Sequence, residues 1–122
     1  MLQNVIKLDE LYPEVCSTAT SIEALKRAIK EHKVNPYEFT YANIDYDANI
    51  GIGAKNSPRF YPLKVGNRVS SLWIPHVTSG YRGEGPWGMV EALKLLKFDI
   101  DEDRKAMIFA VKRLDVNFYK DT

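Results

Sequence analysis

Cysteine is nearly absent from the sequence, since Cys16 is the single one among 122 residues. One cysteine excludes an intrachain disulfide framework and is typical of a reducing compartment, so we expect a cytoplasmic protein. Long apolar runs are missing too: nowhere are there about 18 consecutive apolar residues, the length that a membrane helix needs. The N-terminal residues also lack the basic and then apolar pattern of a secretory leader. We therefore expect no membrane partner.

Net charge is also small, because 17 basic and 16 acidic side chains leave +1. This balance argues against non-specific electrostatic binding of extended nucleic acid, so a charged partner has to be recognised locally.

Two distant histidines and one cysteine supply no zinc-ligand set of familiar spacing. Residues 45–49 imitate the start of a calcium loop, but Ile50 stands where the loop needs glycine and Asn56 where it needs glutamate. We expect no metal ion and no cofactor.

The chain contains enough apolar material for one globular domain, residues 1–122, because 45% of its residues are hydrophobic and no linker or repeat interrupts it. The spacing of Ile22, Leu25 and Ile29 predicts a first helix over 21–31, with Thr20 and Glu23 as its capping box. The dipeptide Asn35-Pro36 ends this helix, because proline disfavours a helical residue before it.

A β-rich region follows the first helix. Aromatic and β-branched residues over 37–53 predict a strand that ends in a turn at Gly51 and Gly53. Two apolar runs, 59–65 and 68–74, are joined by Gly66-Asn67, which predicts a β-hairpin with a two-residue turn. Large apolar groups on both faces of the second run place it inside the sheet. Pro62 lacks an amide donor, which places the first run near a sheet edge.

Two more helices are predicted after the hairpin. Pro86 suits a first helical turn, and the helix it opens runs to about Lys97. Its core-facing stripe is Met89, Val90, Leu93 and Leu96. Residues 105–113 fit two patterns, since their apolar residues follow a helical spacing and also alternate as in a strand. The acidic cluster before them favours a helix, with Ala106, Phe109, Ala110 and Leu114 as its apolar residues.

These elements predict an α+β fold in a single domain: a small antiparallel sheet with a β-hairpin, packed against two or three helices. Fourteen residues are aromatic. Because aromatic side chains are enriched at interfaces, we also expect a homo-oligomer.

The stretch SGYRGEGPWG, residues 79–88, holds four of the seven glycines. Backbone amides at a helix N-terminus bind anions, and Arg82 adds a donor for phosphate or carboxylate. The stretch lacks the Gly-Lys-Ser/Thr end of a Walker A loop and the spacing of the dinucleotide fingerprint. A turn that simply needs glycine is the alternative interpretation.

The predicted ligand-binding residues lie in and just before this glycine loop: Trp73, His76, Thr78, Tyr81, Arg82, Gly83, Gly85 and Trp87. In this hypothesis Arg82 and the amides of Gly83, Gly85 and Trp87 hold the anion, and an aromatic side chain stacks on its ring. A structural histidine and core aromatic residues are the alternative. No nucleophile accompanies a base, so we assign no catalytic residue.

The leading functional hypothesis is therefore non-catalytic binding, sequestering or sensing, of a small anionic ligand, with a nucleotide as the first choice. Such a role would suit a phage-type anti-defence protein that sequesters a nucleotide signal. One alternative is a protein-interaction module that inhibits or adapts a partner protein through aromatic anchors. Another is a small hydrolase that uses His76 and Glu84.

Overall fold

The computed structural model describes residues 4–45 and 60–120. The elements within these ranges are, in chain order, β1 (Asn4–Lys7), α1 (Leu8–Leu11), α2 (Thr18–Lys30), β2 (Tyr41–Asp45), β3 (Leu63–Gly66), β4 (Ser70–Ile74), α3 (Glu84–Leu95), α4 (Glu102–Ala110) and β5 (Asp115–Tyr119). The predicted turn at Gly51 and Gly53 and the calcium-like residues after Asp45 lie outside the described residues.

The five strands form one sheet in the order β1-β4-β3-β2-β5. Strands β1 and β4 are parallel, and the other three pairs are antiparallel. The predicted α+β class is confirmed, with one parallel pair added to the antiparallel sheet. The parallel pair arises because β1 lies beside β4, a strand far along the chain. The sequence analysis did not predict β1.

Strands β3 and β4 are antiparallel neighbours, but the two-residue Gly66-Asn67 turn predicted between them does not join them. Gly66 is the last residue of β3 and pairs with Ser71. The connection is residues 67–69, in which the Asn67 side chain accepts hydrogen bonds from the amides of Val69 and Ser70 at 2.8 and 2.9 Å. Gly66 serves close packing instead, because a Cβ there would lie 2.7 Å from the hydroxyl of Tyr41.

Strand β3 lies in the middle of the sheet, so the edge position predicted from Pro62 is wrong. Pro62 precedes the first residue of β3, where a missing amide donor removes no bond from the ladder. Its carbonyl accepts a hydrogen bond from the amide of Asp45 at 2.9 Å. The prediction that the following strand, β4, is internal is confirmed.

Helix α2 begins earlier than predicted and has a different cap. Ser17 caps it, since its side chain accepts from the amide of Thr20 and the Thr20 hydroxyl accepts from the amide of Ser17. The predicted Thr20 and Glu23 box is therefore wrong by one helical turn. The structure places Ile22 and Leu25 in the core, as their spacing predicts.

Helix α3 begins at Glu84, two residues before Pro86, and its predicted stripe of Met89, Val90, Leu93 and Leu96 is buried. Helix α4 confirms the helical interpretation of residues 105–110, but the chain is extended again at Val111. The buried residue of α4 is Ile108, and the predicted apolar positions Ala106 and Ala110 are exposed.

The sheet separates the helices from a more polar face. One row of residues across the five strands points toward the core: Ile6, Leu72, Val65, Ala42 and Phe118. The neighbouring row points to the opposite face: Lys7, Trp73, Lys64, Asn43 and Asn117. Residues of α2 and α3 complete the core. Among the described residues, no helix has the length and apolar content to cross a membrane.

Candidate functional site

Two glycines at the start of α3, Gly83 and Gly85, are explained by close packing. A Cβ at Gly85 would overlap the Thr78 hydroxyl and lie 2.5 Å from the Tyr81 hydroxyl, and a Cβ at Gly83 would lie 2.7 Å from the Tyr81 ring. Those two hydroxyls are hydrogen-bonded to each other at 2.9 Å, and the Thr78 amide donates to the Gly85 carbonyl at 3.2 Å. The side chains of Thr78 and Tyr81 thus occupy the space that the glycines leave.

The start of α3 offers fewer amides to an anion than the sequence predicts. The Trp87 amide donates to the Gly83 carbonyl at 3.3 Å within the helix, so it is not available to a ligand. Pro86 has no amide hydrogen. Glu84, in the first turn, adds a carboxylate at the same helix end. The Trp87 amide is therefore not available to an anion, and the Glu84 carboxylate opposes one at this helix end.

A surface groove of about 300 Å³ lies between the start of α3 and α4. Its lining residues are Arg82, Trp87, Glu102, Lys105, Ala106 and Phe109. The Trp87 side chain is 55% exposed, and its ring meets the Phe109 ring edge-on at 4.8 Å between centroids. The ammonium of Lys105 lies 4.7 Å from the centroid of the Trp87 ring. The groove thus combines an exposed indole with two basic side chains.

Neither basic side chain of the groove forms an ion pair with a described residue. In the described part of the chain, Arg82 and Lys105 have no carboxylate within salt-bridge distance, whereas seven ion pairs form elsewhere. Arg82 is exposed and Lys105 is half-buried. An unpaired guanidinium and an unpaired ammonium that line one groove favour an anionic group between them.

Acidic residues border this groove on the α4 side. Glu102 lines the groove, and its sequence neighbours Asp101 and Asp103 are exposed at the N-terminal end of α4. Arg104 does not neutralise these carboxylates, because its guanidinium donates to the Asp99 carbonyl at 2.7 Å and lies over the Phe118 ring.

A second, acidic groove lies on the other side of Trp87. Its charged residues are Glu23, Glu84, Glu91 and Lys26. The Lys26 ammonium is already paired, at 3.3 Å from Glu91 and 3.9 Å from Glu23. Trp87 therefore separates a groove with two unpaired cations from one with excess carboxylates.

Trp73 and His76 lie in a different part of the molecule from the groove. They are the two ends of a chain of ring contacts in which Trp73 meets Tyr61 at 5.5 Å, Tyr61 meets Phe60 at 5.2 Å, and Phe60 meets His76 at 5.7 Å. Lys7 and Lys64 lie 5.7 and 5.6 Å from the Trp73 ring. Of the predicted site residues, only Arg82 and Trp87 line the groove.

The aromatic cluster also contains a buried carboxylate. Tyr61 donates a hydrogen bond to Oδ1 of Asp9 at 2.9 Å, and Asp9 is 4% exposed. Within the described residues, Oδ2 of Asp9 is buried and has no hydrogen-bond partner. Burial and the neighbouring Asp9 raise the pKa of Tyr61 well above its usual range, so Tyr61 remains a donor.

His76 should make the stability of the protein sensitive to acid. Burial lowers the pKa of His76 despite the opposing effect of Asp9, so the folded state favours the neutral imidazole. The stabilisation is present above the unfolded pKa of about 6.5 and is lost as the pH falls below it. The urea midpoint should therefore decrease as the pH is lowered from about 7.5 to about 5.5, and it should decrease less in His76→Asn.

Asparagine is the appropriate replacement because His76 has a φ of 67°, a left-handed conformation that asparagine tolerates. Equal acid sensitivity in the two proteins would contradict the role of His76.

Several residues of the groove were missed in the sequence, although a signal for them exists. Glu102, Lys105, Ala106 and Phe109 follow the i, i+3, i+4, i+7 spacing of one helical face. The two sides of α4 both contain apolar residues, so the pattern did not say which side meets α3. Asp9 and Tyr61 carry no local signal at all, because their pairing joins residues 52 positions apart.

Comparisons with known proteins identify no relative of this chain. No family model, curated protein or solved structure matches the chain. Within residues 4–45 and 60–120, no three histidine, cysteine, aspartate or glutamate side chains are grouped so that they could hold a metal ion.

Proposed function

We propose that this protein binds a small anionic ligand that carries an aromatic ring, with a nucleotide as the leading candidate, and that the site is the groove between α3 and α4. The observation that carries the proposal is the pair of basic side chains without ion-pair partners, Arg82 and Lys105, beside the exposed ring of Trp87. Sequestering or sensing a nucleotide signal, as a phage-type anti-defence protein would, requires only such binding.

Each part of the ligand has a matching group. Arg82 offers a planar fork of donors that suits phosphate, and Lys105 offers a point charge that turns from the indole to the anion. The exposed part of Trp87 offers a surface on which a base can stack, an interaction worth about 1–3 kcal/mol. A volume of about 300 Å³ is at the small end of the range for ligand pockets, which suits one ring with one charged group.

Binding without turnover is supported by the composition of the groove. Its titratable residues are Arg82, Glu102 and Lys105, and none of them is a nucleophile held by a neighbouring base. His76, the residue of the alternative hydrolase hypothesis, contacts Phe60 in the aromatic cluster instead.

Replacing either cation should weaken binding without unfolding the protein. We expect Arg82→Ala and Lys105→Ala each to lower the affinity for AMP by about tenfold or more in calorimetric titrations, because each removes a charge-assisted contact. The melting temperature without ligand should stay within about 2 °C of the wild type, since neither side chain forms an ion pair in the described residues.

Lys112→Ala is the matched control, because Lys112 is exposed and lies just after α4, outside the groove. Absence of any melting-temperature increase with a panel of nucleotides at millimolar concentration would contradict the proposal, because a bound ligand stabilises the folded state by mass action.

A protein partner is the second candidate, favoured by two large aromatic side chains at the surface. Trp87 and Tyr81 are 55% and 50% exposed, and exposed aromatic residues often anchor protein complexes. Retention of one partner protein by the wild type but not by Trp87→Ala, without any nucleotide effect, would favour this function. Self-association also stays a prediction, to be checked by sedimentation.

A further inference from the structure

The charges around the groove limit how much negative charge a ligand can carry. Arg82 and Lys105 are its two cations, and Glu102 lies in the same groove. A single phosphoryl group, with a charge near −2, uses both cations fully. A second or third phosphoryl group would need further basic side chains near the groove.

On the α4 side, such a group would meet the Glu102 carboxylate instead. Asp101, Glu102 and Asp103 are consecutive at the start of α4, and all three are exposed. Arg104 follows these three residues in the sequence. Its guanidinium donates a hydrogen bond to the Asp99 carbonyl and lies 4.8 Å from the Phe118 ring centroid. Arg104 is therefore not directed to the groove, and Lys105 is the cation that α4 contributes to its lining.

In the acidic groove on the other side of Trp87, the ligand would again approach carboxylates. Glu84, Glu91 and Glu23 line that neighbouring groove, and its single lysine, Lys26, is held between two of them. The Arg82 and Lys105 pair is thus a small cationic area between two acidic margins. Repulsion of the wrong ligand is a common source of specificity, in addition to attraction of the right one.

From this arrangement we infer that the groove selects ligands with one phosphoryl group, of the nucleoside monophosphate class, against the corresponding polyphosphates. The inference rests on the proposed function and adds the ligand class to it. Glu102 and Glu84 are the residues that determine this specificity, because they border the cations on the two sides.

Titrations with AMP and ATP at low salt and without divalent cations test the inference. We expect AMP to bind about tenfold more tightly than ATP, because each excess phosphate charge costs a few-fold in affinity. The double variant Glu84→Gln/Glu102→Gln should reduce this preference to about threefold or less. Glu38→Gln should keep it, since Glu38 is exposed beside the β3–β4 connection, where its carbonyl accepts from Asn67.

The outcomes are distinguishable. Equal or tighter binding of ATP by the wild type would overturn the inference and leave the proposed function standing. An unchanged preference in the double variant would also overturn it, because the carboxylates would then not be its cause. Flat titrations with both nucleotides would overturn the proposed function and the inference together. The single variant Glu102→Gln, with an intermediate preference expected, replaces the double variant if melting curves show that the latter is unfolded.

Discussion

Gly85→Val should lower the free energy of unfolding by about 3 kcal/mol or more and abolish ligand binding with it. Gly85 is buried in the first turn of α3, and its carbonyl accepts from the Thr78 amide. A Cβ at this position would overlap the Thr78 hydroxyl. Because the backbones of the two residues are hydrogen-bonded, the loop cannot move away without losing that bond. The arrangement that presents Arg82 and Trp87 would be lost as well.

Urea denaturation of the variant measures the effect, with Ala19→Val as the matched control. Ala19 is exposed in the first turn of α2, so the same valine should cost only about 0.5 kcal/mol there. The smaller change Gly85→Ala should already destabilise, and adding Thr78→Ala should restore part of the loss by removing the hydroxyl. A Gly85→Val protein as stable as the control variant would contradict the steric explanation of the glycine loop.

The elements predicted from the sequence are those with strong local signals. Helix α2 has a regular apolar spacing, α3 has a buried stripe after a proline, and β4 ends in the apolar residues Leu72, Trp73 and Ile74. Strand β1 has no comparable signal. Its four residues become a strand only because β4, more than sixty residues later, supplies a parallel partner. Long-range pairing of this kind leaves no periodic trace in so short a segment.

Adjacency along the chain was a poor guide to the composition of the site. Trp73 and Trp87 are close in sequence, but Trp73 points to the face of the sheet opposite the core, whereas Trp87 lies on a helix that covers the other face. The chain crosses between these faces after β4. Lys105 and Phe109 join the groove from α4, through packing that only the fold determines.

The buried pair of Asp9 and Tyr61 should be the second most sensitive point of the molecule. Tyr61→Phe removes the one hydrogen bond that Asp9 receives from a described residue. Both carboxylate oxygens would then be buried without a donor, and we expect a loss of about 2–4 kcal/mol in the free energy of unfolding. Tyr37→Phe is the control, since the Tyr37 side chain is 74% exposed and should tolerate the change within about 0.5 kcal/mol.

A double variant separates the lost hydrogen bond from a packing defect at Tyr61. Leucine has the branched shape of aspartate without its charge, so Asp9→Leu/Tyr61→Phe leaves no polar group to desolvate at this position. Because removing both partners of a buried hydrogen bond costs far less than removing one, the double variant should be more stable than Tyr61→Phe alone. If it is equally unstable, the loss comes from packing. Recovery would show that Tyr61 stabilises the fold by satisfying a buried carboxylate.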